Sequence, residues 1–453
     1  QNAAPLGTAS APYNLSNETG AAAVQNTANS YLISAPGHYM IPLVYGNAIK
    51  NSQTNSSAYI SNAPVTPLKF GSPAANTDVV LHHFVDHISQ KITDPWIEKT
   101  NNRANSGIDA AEVTWADENN LATLPGSPIY RDASGNAFVK FEVKKENLKS
   151  GNAVISVKKG NTILWSWHLW FAPKNALDKI KVTNSQNKIY EFTNETLGWK
   201  PTEWTGTSYS TPRTVKVKVE QILGNNGTKQ AAVITITQNS GYYQWGRNNA
   251  FPGTDAALPQ GSIVKGNDQI HMNNKIQYPN YFFTTKFVGG NIDQNDGLTK
   301  FHYFYNLWSM NNYRRGDKNA ANNIDVVKTI YDPCPVGFNV PTNGAFSGFT
   351  TNGQNQGPMN VNGTNIKATY DINSGHIFWT NSSKTETIYF PASGFRNAED
   401  DKIKEANSFG DYWSADPQDY NNGCVMGFSY DKVYPLFVNI RTYGFAVRPV
   451  AEK

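Results

Sequence analysis

Short apolar runs broken by Pro, Gly and Asn recur along this chain, and the spacing that keeps returning is two rather than 3.6. In NTILWSWHLWF, Ile163, Trp165, Trp167, Leu169 and Phe171 alternate with their neighbours, which predicts a strand with one apolar face. Lys158-Lys159-Gly160-Asn161 before it supplies a hairpin turn, with AVISVKK as the partner strand. AEVTWAD and AFVKFEVKKEN read as further strands, and YLISAPGHYMIPLVYGN from Tyr31 as short strands and turns. RTVKVKVEQIL and KQAAVITITQ flank GNNG and predict a second hairpin at about 213–238. LHHFVDHISQKI, 81–92, fits a short helix or two turns, and NNIDVVKTIYD at most a short helix. Residues 1–26 are rich in Ala, Asn, Ser and Thr without an apolar period, which predicts a flexible arm.

Composition narrows the class. Only 16% of the 453 residues are charged, 12% are aromatic, and 35 glycines and 24 prolines punctuate the text. That balance suits an extracellular β-protein better than a cytosolic enzyme rich in helix formers. The net charge of +4 is small and no Lys/Arg block stands out, so nucleic acid is not an expected partner. No apolar run approaches a membrane span. The chain opens QNAAPLGTAS, without a basic-then-apolar leader, which fits a cytosolic protein or one already processed; the composition favours the processed reading.

Candidate chemistry is sparse. His83 and His87 of HHFVDH would share a helix face with metal-ligand spacing, but the glutamate of a zinc-protease motif is missing, and His82 adds no third ligand on that face. Solvated or capping histidines are expected, and no metal. NIDQNDG, 291–297, has the oxygens of a calcium loop, yet its glycine is one position late and the bidentate glutamate is absent. A polar turn is expected there, with no cofactor; calcium has no motif to support it. No phosphate loop or nucleophile elbow is present. Trp165, Trp167 and Trp170 are expected in a core rather than on a binding platform. Val336, Phe338 and Val340 alternate after Cys334, which Pro333 and Pro335 hold on a stiff, extended corner.

Six stretches together carry a resemblance: YYQWGRNNAFPG (242–253), FYNLW (304–308), YDPCPVGFNVPT (331–342), YFPASGFRNAEDDKI (389–403), GDYWSADP (410–417) and GFAVRP (444–449). They resemble the Bacteroidetes "major paralogous" surface domain, similar in fold to C-type lectins and to the formylglycine-generating-enzyme group. NTANSYLISAPGHYMIPLVYGN and GNAVISVKKGNTILWSWHLWF look like the β-sandwich preceding that domain in fimbrillin-like surface proteins. The implied fold is mainly β with some α: a flexible arm at 1–26, a sandwich at 27–175, and an α+β C-type-lectin-like domain at 176–453. Family members place a short Asp-Arg-Asn-Leu-Gly stretch almost directly before the Tyr-Gln-Trp-Gly-Arg motif. Here its counterpart is NETLGW, 194–199, well upstream, so the hairpin at 213–238 reads as an insertion.

The resemblance implies a cell-surface adhesin, a fimbrial or pilus-tip subunit at the outer membrane, exported as a lipoprotein and anchored only through a lipid lost from this chain. Its partners would be other pilin subunits, joined by strand donation, and a host or microbial glycan or protein ligand. A second reading is a glycan-binding lipoprotein of a polysaccharide-uptake system; an oxidase-like enzyme is disfavoured, because its redox-active cysteine pair would have to come from the two cysteines present. The family's usual partner for the Asp-Pro-Cys-Pro cysteine lies in the last strand, where this chain has Pro449. If GCVMGFS and TYGFAVR pair about a YPLFVN turn, Cys424 lies one strand over, and a Cys334–Cys424 disulfide is implied. Such a bridge would stabilise the fold by roughly 4–5 kcal/mol. Trp413 is implied to be a core residue. Tyr412, Asp416, Tyr420, Asn421 and Asn422 flank the region that becomes the ligand loop in lectin-like folds, and are the implied ligand-binding residues, with no catalytic residue among them.

Overall fold

A computed structural model describes residues 3–63, 80–200, 240–266, 272–284, 304–312, 320–419 and 421–453. The hairpin expected at 213–238, the NIDQNDG turn and Tyr420 lie outside the described residues. The described chain is mainly β with some α. The hairpin of strands Gly151–Lys159 and Thr162–Phe171 forms as the alternation demands, turning on Gly160 with φ +59. It is the middle of a five-stranded sheet, flanked by Ala110–Ala116 and by Ser30–Ile33, the latter running parallel. A second sheet pairs Gly37–Pro42 with Ala137–Val143 and Ile129–Arg131. Inward residues of both sheets, Tyr39, Ile41, Val139 and Phe141 with Ile155, Val157 and Trp165, belong to one apolar core.

Two expectations about this half change. Strand Thr162–Phe171 is buried on both faces from Leu164 onward, so Leu164, Ser166, His168 and Trp170 are as covered as the apolar face. A bulge between Ile163 and Trp165 adjusts its register to the neighbouring strand. The N-terminal segment is not a loose arm. Tyr13–Asn14 pairs in parallel with Tyr39–Met40 at the sheet edge, and Leu6 bridges Gly37. Its order comes from polar groups rather than apolar periodicity: Asn14 Oδ1 accepts from the Ser16 N–H and hydroxyl, while its Nδ2 donates to the Ala22 carbonyl. Asn17 Oδ1 likewise accepts the Thr19 and Ala21 N–H groups.

In the C-terminal half, strands Gly410–Pro417, Asn422–Ser429 and Lys432–Ile440 form a three-stranded antiparallel sheet. The YPLFVN stretch is therefore strand, the turn falls at Tyr430–Asp431, and Cys424 faces Val438 rather than a residue near 448. NNIDVVKTIYD forms no helix; Lys328 instead bridges Ser309. Phe192, Phe346, Phe349, Phe378, Phe390 and Phe428 make a separate aromatic core behind the sheet.

The boundary expected at 175/176 is not a linker between independent bodies. The core of the first half continues through Tyr243, Trp245, Trp308, Cys334, Trp413 and Val447. Gln260–Gly261 pairs with Trp115–Ala116 and supplies an edge strand to the five-stranded sheet. Almost every polar group of Tyr242–Asn249 ties into the structure around it. Tyr243 hydroxyl meets His168 Nδ1 (3.1 Å), Asn249 Nδ2 donates to Ser166 Oγ (3.0 Å), and Arg247 donates to the Tyr281 and Tyr278 carbonyls. Gly246 has φ +80, and a Cβ there would meet Leu307 Cδ1 at 2.5 Å, so glycine is required. Asn29 is the hub: its Nδ2 donates to the Ile330 and Asp332 carbonyls (2.6 and 2.8 Å), and its Oδ1 accepts from Trp165 Nε1 (3.1 Å).

Candidate ligand-binding cleft

The residues implied as a ligand loop are mostly structural. Tyr412 is fully buried and its hydroxyl donates to the Pro391 carbonyl at 2.7 Å. Asp416 is buried too, accepting the Asn343 N–H (2.6 Å) and the Asn322 side-chain amide, and burial pushes its carboxyl up to about 6. Neither can face a ligand. Trp413 is core as expected, its Nε1 donating to the Tyr243 carbonyl. Asn421 and Asn422 are half-buried in a loop closed on Asp419, whose Oδ1 accepts both their backbone N–H groups at 2.8 Å. Beneath the loop lies Arg441, wholly buried, donating to the carbonyls of Asp419 (2.7 Å), Asn422 (3.2 Å) and Phe304 (2.7 Å). Its guanidinium rests 4.1 Å from the Trp245 ring centre.

The implied Cys334–Cys424 bridge is not formed. Cys334 sits on its rigid corner beside Asp332, whose carboxylate accepts the Cys334 N–H (2.7 Å) and the Val340 N–H (2.9 Å). Lys328 Nζ donates to the Cys334 and Pro335 carbonyls. Cys424 is across the three-stranded sheet's register, its sulfur 4.0 Å from the Pro417 carbonyl oxygen. The strand assignment of YPLFVN is the cause, because it removes the hairpin that would have aimed Cys424 at the corner. Burial and the neighbouring Asp332 push the Cys334 thiol well above its ordinary range. Cys334 is therefore expected to resist alkylation in the native protein and to be labelled in denaturant without reductant; failure to label there would restore the bridge.

LHHFVDHISQKI takes the two-turn form, with bridges Ile60–His83 and Val85–Lys91. His87 is buried and burial lowers its pKa. Asp86 beside it accepts the Ile88 and Gln90 N–H groups and is a turn-former. Among the described residues no group of three or more His, Cys, Asp or Glu is placed to hold a metal ion.

An open cleft of about 620 Å³ lies elsewhere, in the sandwich. Its floor is an ion pair: Arg131 Nη2 and Nε donate to the two Glu98 carboxylate oxygens at 2.5 and 3.0 Å. Glu98 Oε1 also accepts the Gly107 and Ile108 N–H groups (2.9 and 2.7 Å), and Arg131 donates to the Ile108 carbonyl. This is a bidentate pair in which the more buried partner, Glu98, is further held by two backbone N–H groups. Arg103, which lines the cleft, ends a run of backbone of an uncommon kind. Asn101, Asn102 and Arg103 are all left-handed, with φ of 50, 53 and 66. Asparagine tolerates that region, arginine less so, and a non-glycine residue held there costs on the order of 1–3 kcal/mol. The turn is held by Asn101 N–H to Thr93 Oγ1 (2.9 Å), Thr93 N–H to Thr100 Oγ1 (2.9 Å) and Ala104 N–H to the Asn101 carbonyl (3.1 Å).

Sequence reasoning missed this cleft. Its residues read as polar loop, and the one available signal was EKTNNRANSG, where consecutive asparagines permit left-handed backbone. A smaller hollow of about 390 Å³ lies between Ala9–Pro12 and Tyr130, Phe138 and Lys140.

Residues 359–450, which hold the three-stranded sheet and Phe378, Phe390 and Phe428 of the aromatic core, match a family described as a domain of unknown function (DUF8237). No curated protein and no solved structure matches the chain.

Proposed function

We propose that this protein is a cell-surface adhesin, a subunit of a fimbrial tip, that binds a glycan or protein ligand and performs no reaction. The cleft over the Glu98–Arg131 pair carries this reading. It is open, lined by charged, polar and apolar groups together, built over a bidentate ion pair, and bordered at Arg103 by strained backbone of the kind that gathers at binding sites. The supporting architecture is consistent: buried side chains such as Arg441, Asp332 and Arg247 are occupied in tying loops and sheets together. Neighbouring subunits would join by exchange at the sheet edge where Tyr13–Asn14 lies, and the subunit would stand outside the cell on a lipid anchor.

Immunogold labelling of producing cells tests the placement, with label at fibre tips expected. Label spread over bare membrane, together with binding to printed glycans, would favour a lipoprotein that gathers polysaccharide for uptake. Label confined to the cell interior would overturn both.

A further inference from the structure

We infer that the cleft beside the left-handed turn takes an acidic carbohydrate, with Arg103 anchoring the anionic group; this deepens the ligand-binding reading above and rests on it. The charges around the cleft are not equivalent. Glu98 is cancelled by Arg131 and capped by two backbone N–H groups, so the floor presents no net charge. Asp109 accepts the Gly160 N–H on Oδ1 (3.2 Å). Lys99 gives one donor to Asn136 Oδ1 (2.5 Å) and lies 5.3 Å from the Trp96 ring centre, keeping two donors in hand. Arg103 is exposed and has no ion pair or side-chain hydrogen bond among the described residues, so its whole guanidinium fork is available. The backbone that carries it is fixed, because its own N–H reaches the Lys99 carbonyl (3.4 Å) and its carbonyl accepts the Ser106 N–H (3.0 Å).

The walls favour a polyhydroxyl ligand over a peptide. Gly107, Gly126 and Gly135 leave backbone exposed, Ser106 and Ser127 add hydroxyls, and no aromatic side chain lines the cleft. A peptide would find no deep apolar pocket for an anchor residue, whereas sugar hydroxyls meet donors and acceptors along the whole groove. Ile108 and Ile129 give the lining about as much apolar as polar surface, so the charged anchor has to set the preference among ligands, and its share of the affinity has to weaken with salt.

Isothermal titration of the intact protein tests this with four probes: an oligogalacturonate, a heparin-derived oligosaccharide, a neutral maltooligosaccharide and poly-glutamate. Binding of an acidic oligosaccharide, weakened by salt, is expected, and the preference between the first two probes tells carboxylate from sulfate. Arg103→Ala should weaken it roughly 10- to 100-fold, as loss of hydrogen bonds to a charged group implies, and Arg103→Lys less. An unchanged urea midpoint for Arg103→Ala shows that folding is not the cause. The inference is overturned if neither acidic oligosaccharide binds, if the neutral one binds equally, if poly-glutamate binds tighter, or if Arg103→Ala binds like the parent. Fibre-tip labelling combined with any of these results would sink the cleft assignment and leave the adhesin reading standing.

Discussion

Arg441→Ala is expected to cost about 3–5 kcal/mol of stability, the range for losing a buried polar hub rather than a surface charge. The guanidinium serves three backbone carbonyls at once, those of Phe304, Asp419 and Asn422, and its face packs on Trp245. Truncation removes the guanidinium from all three carbonyls, leaving Asn422's to the Gln418 and Asp419 N–H groups, and opens a cavity under the Asp419–Asn422 loop. Lysine is a poor substitute, because a point cation cannot reproduce a planar fork, so Arg441→Lys should recover only part of the loss. Urea denaturation measures the total, and amide exchange at 421–424 shows whether the loop loosens first. A shift below about 1 kcal/mol for Arg441→Ala would mean that the loop does not depend on it.

The second large effect is a stability that falls as pH rises through neutrality. Asp411 is buried in strand Gly410–Pro417, and burial pushes its carboxyl up to about 7. Asp332 and Asp416 are pushed up to about 6, burial again being the main cause. A carboxyl with a raised native pKa binds more protons folded than unfolded. Its contribution is therefore full below the unfolded value, about 4, and is lost as pH climbs through 6 to 7. The buried histidines act in the opposite sense. His168 is lowered to about 3 and His376 to about 4 by burial, so each contributes fully above about 6.5 and loses that contribution as pH falls.

The two sets oppose each other between about pH 4 and 6.5; above that Asp411 is the carboxyl still titrating, and Lys275, held well below its ordinary range by burial, works against it. Asp411→Asn should accordingly raise stability at pH 8 by roughly 2–4 kcal/mol and give no gain at pH 4.5. Equal effects of the substitution at both pH values would refute the assignment to Asp411. His168 also explains why the acid limb involves the junction between the two halves. Ser30 Oγ donates to the Pro333 carbonyl, so Nδ1 accepts from the Tyr243 hydroxyl and Nε2–H donates to Asn152 Oδ1. A proton on Nδ1 breaks that arrangement.

Local rules made much of the framework legible. Alternation placed the Gly151–Lys159 and Thr162–Phe171 strands and their turn, and the two prolines placed Cys334 on a buried corner followed by Phe338 and Val340 in the core. The same rules failed wherever order comes from polar groups. Residues 3–26 lack an apolar period, yet Asn14 and Asn17 fold them by side-chain bonds to backbone that no periodicity records. Tyr412 and Asp416 look like ligand residues in one dimension because they are aromatic and acidic. They are buried because the strand that carries them is covered on both faces.

By itself, then, the sequence determined the β class, the principal hairpin, the stiff corner and the buried tryptophans. Each of these depends on neighbours within a few positions, where backbone sterics and side-chain alternation act directly. Only the tertiary structure decided which polar groups are consumed and which are left over. Asn29 reaches Asp332, His168 reaches Tyr243, and Glu98 is cancelled by Arg131, all through contacts far apart in the chain. Arg103 is distinguished from the other arginines among the described residues by where its side chain is left: Arg131, Arg247, Arg396, Arg441 and Arg448 are all engaged, while a left-handed turn holds Arg103 at the rim of a cleft. A buried donor must find an acceptor wherever the fold supplies one, and that choice is made in three dimensions.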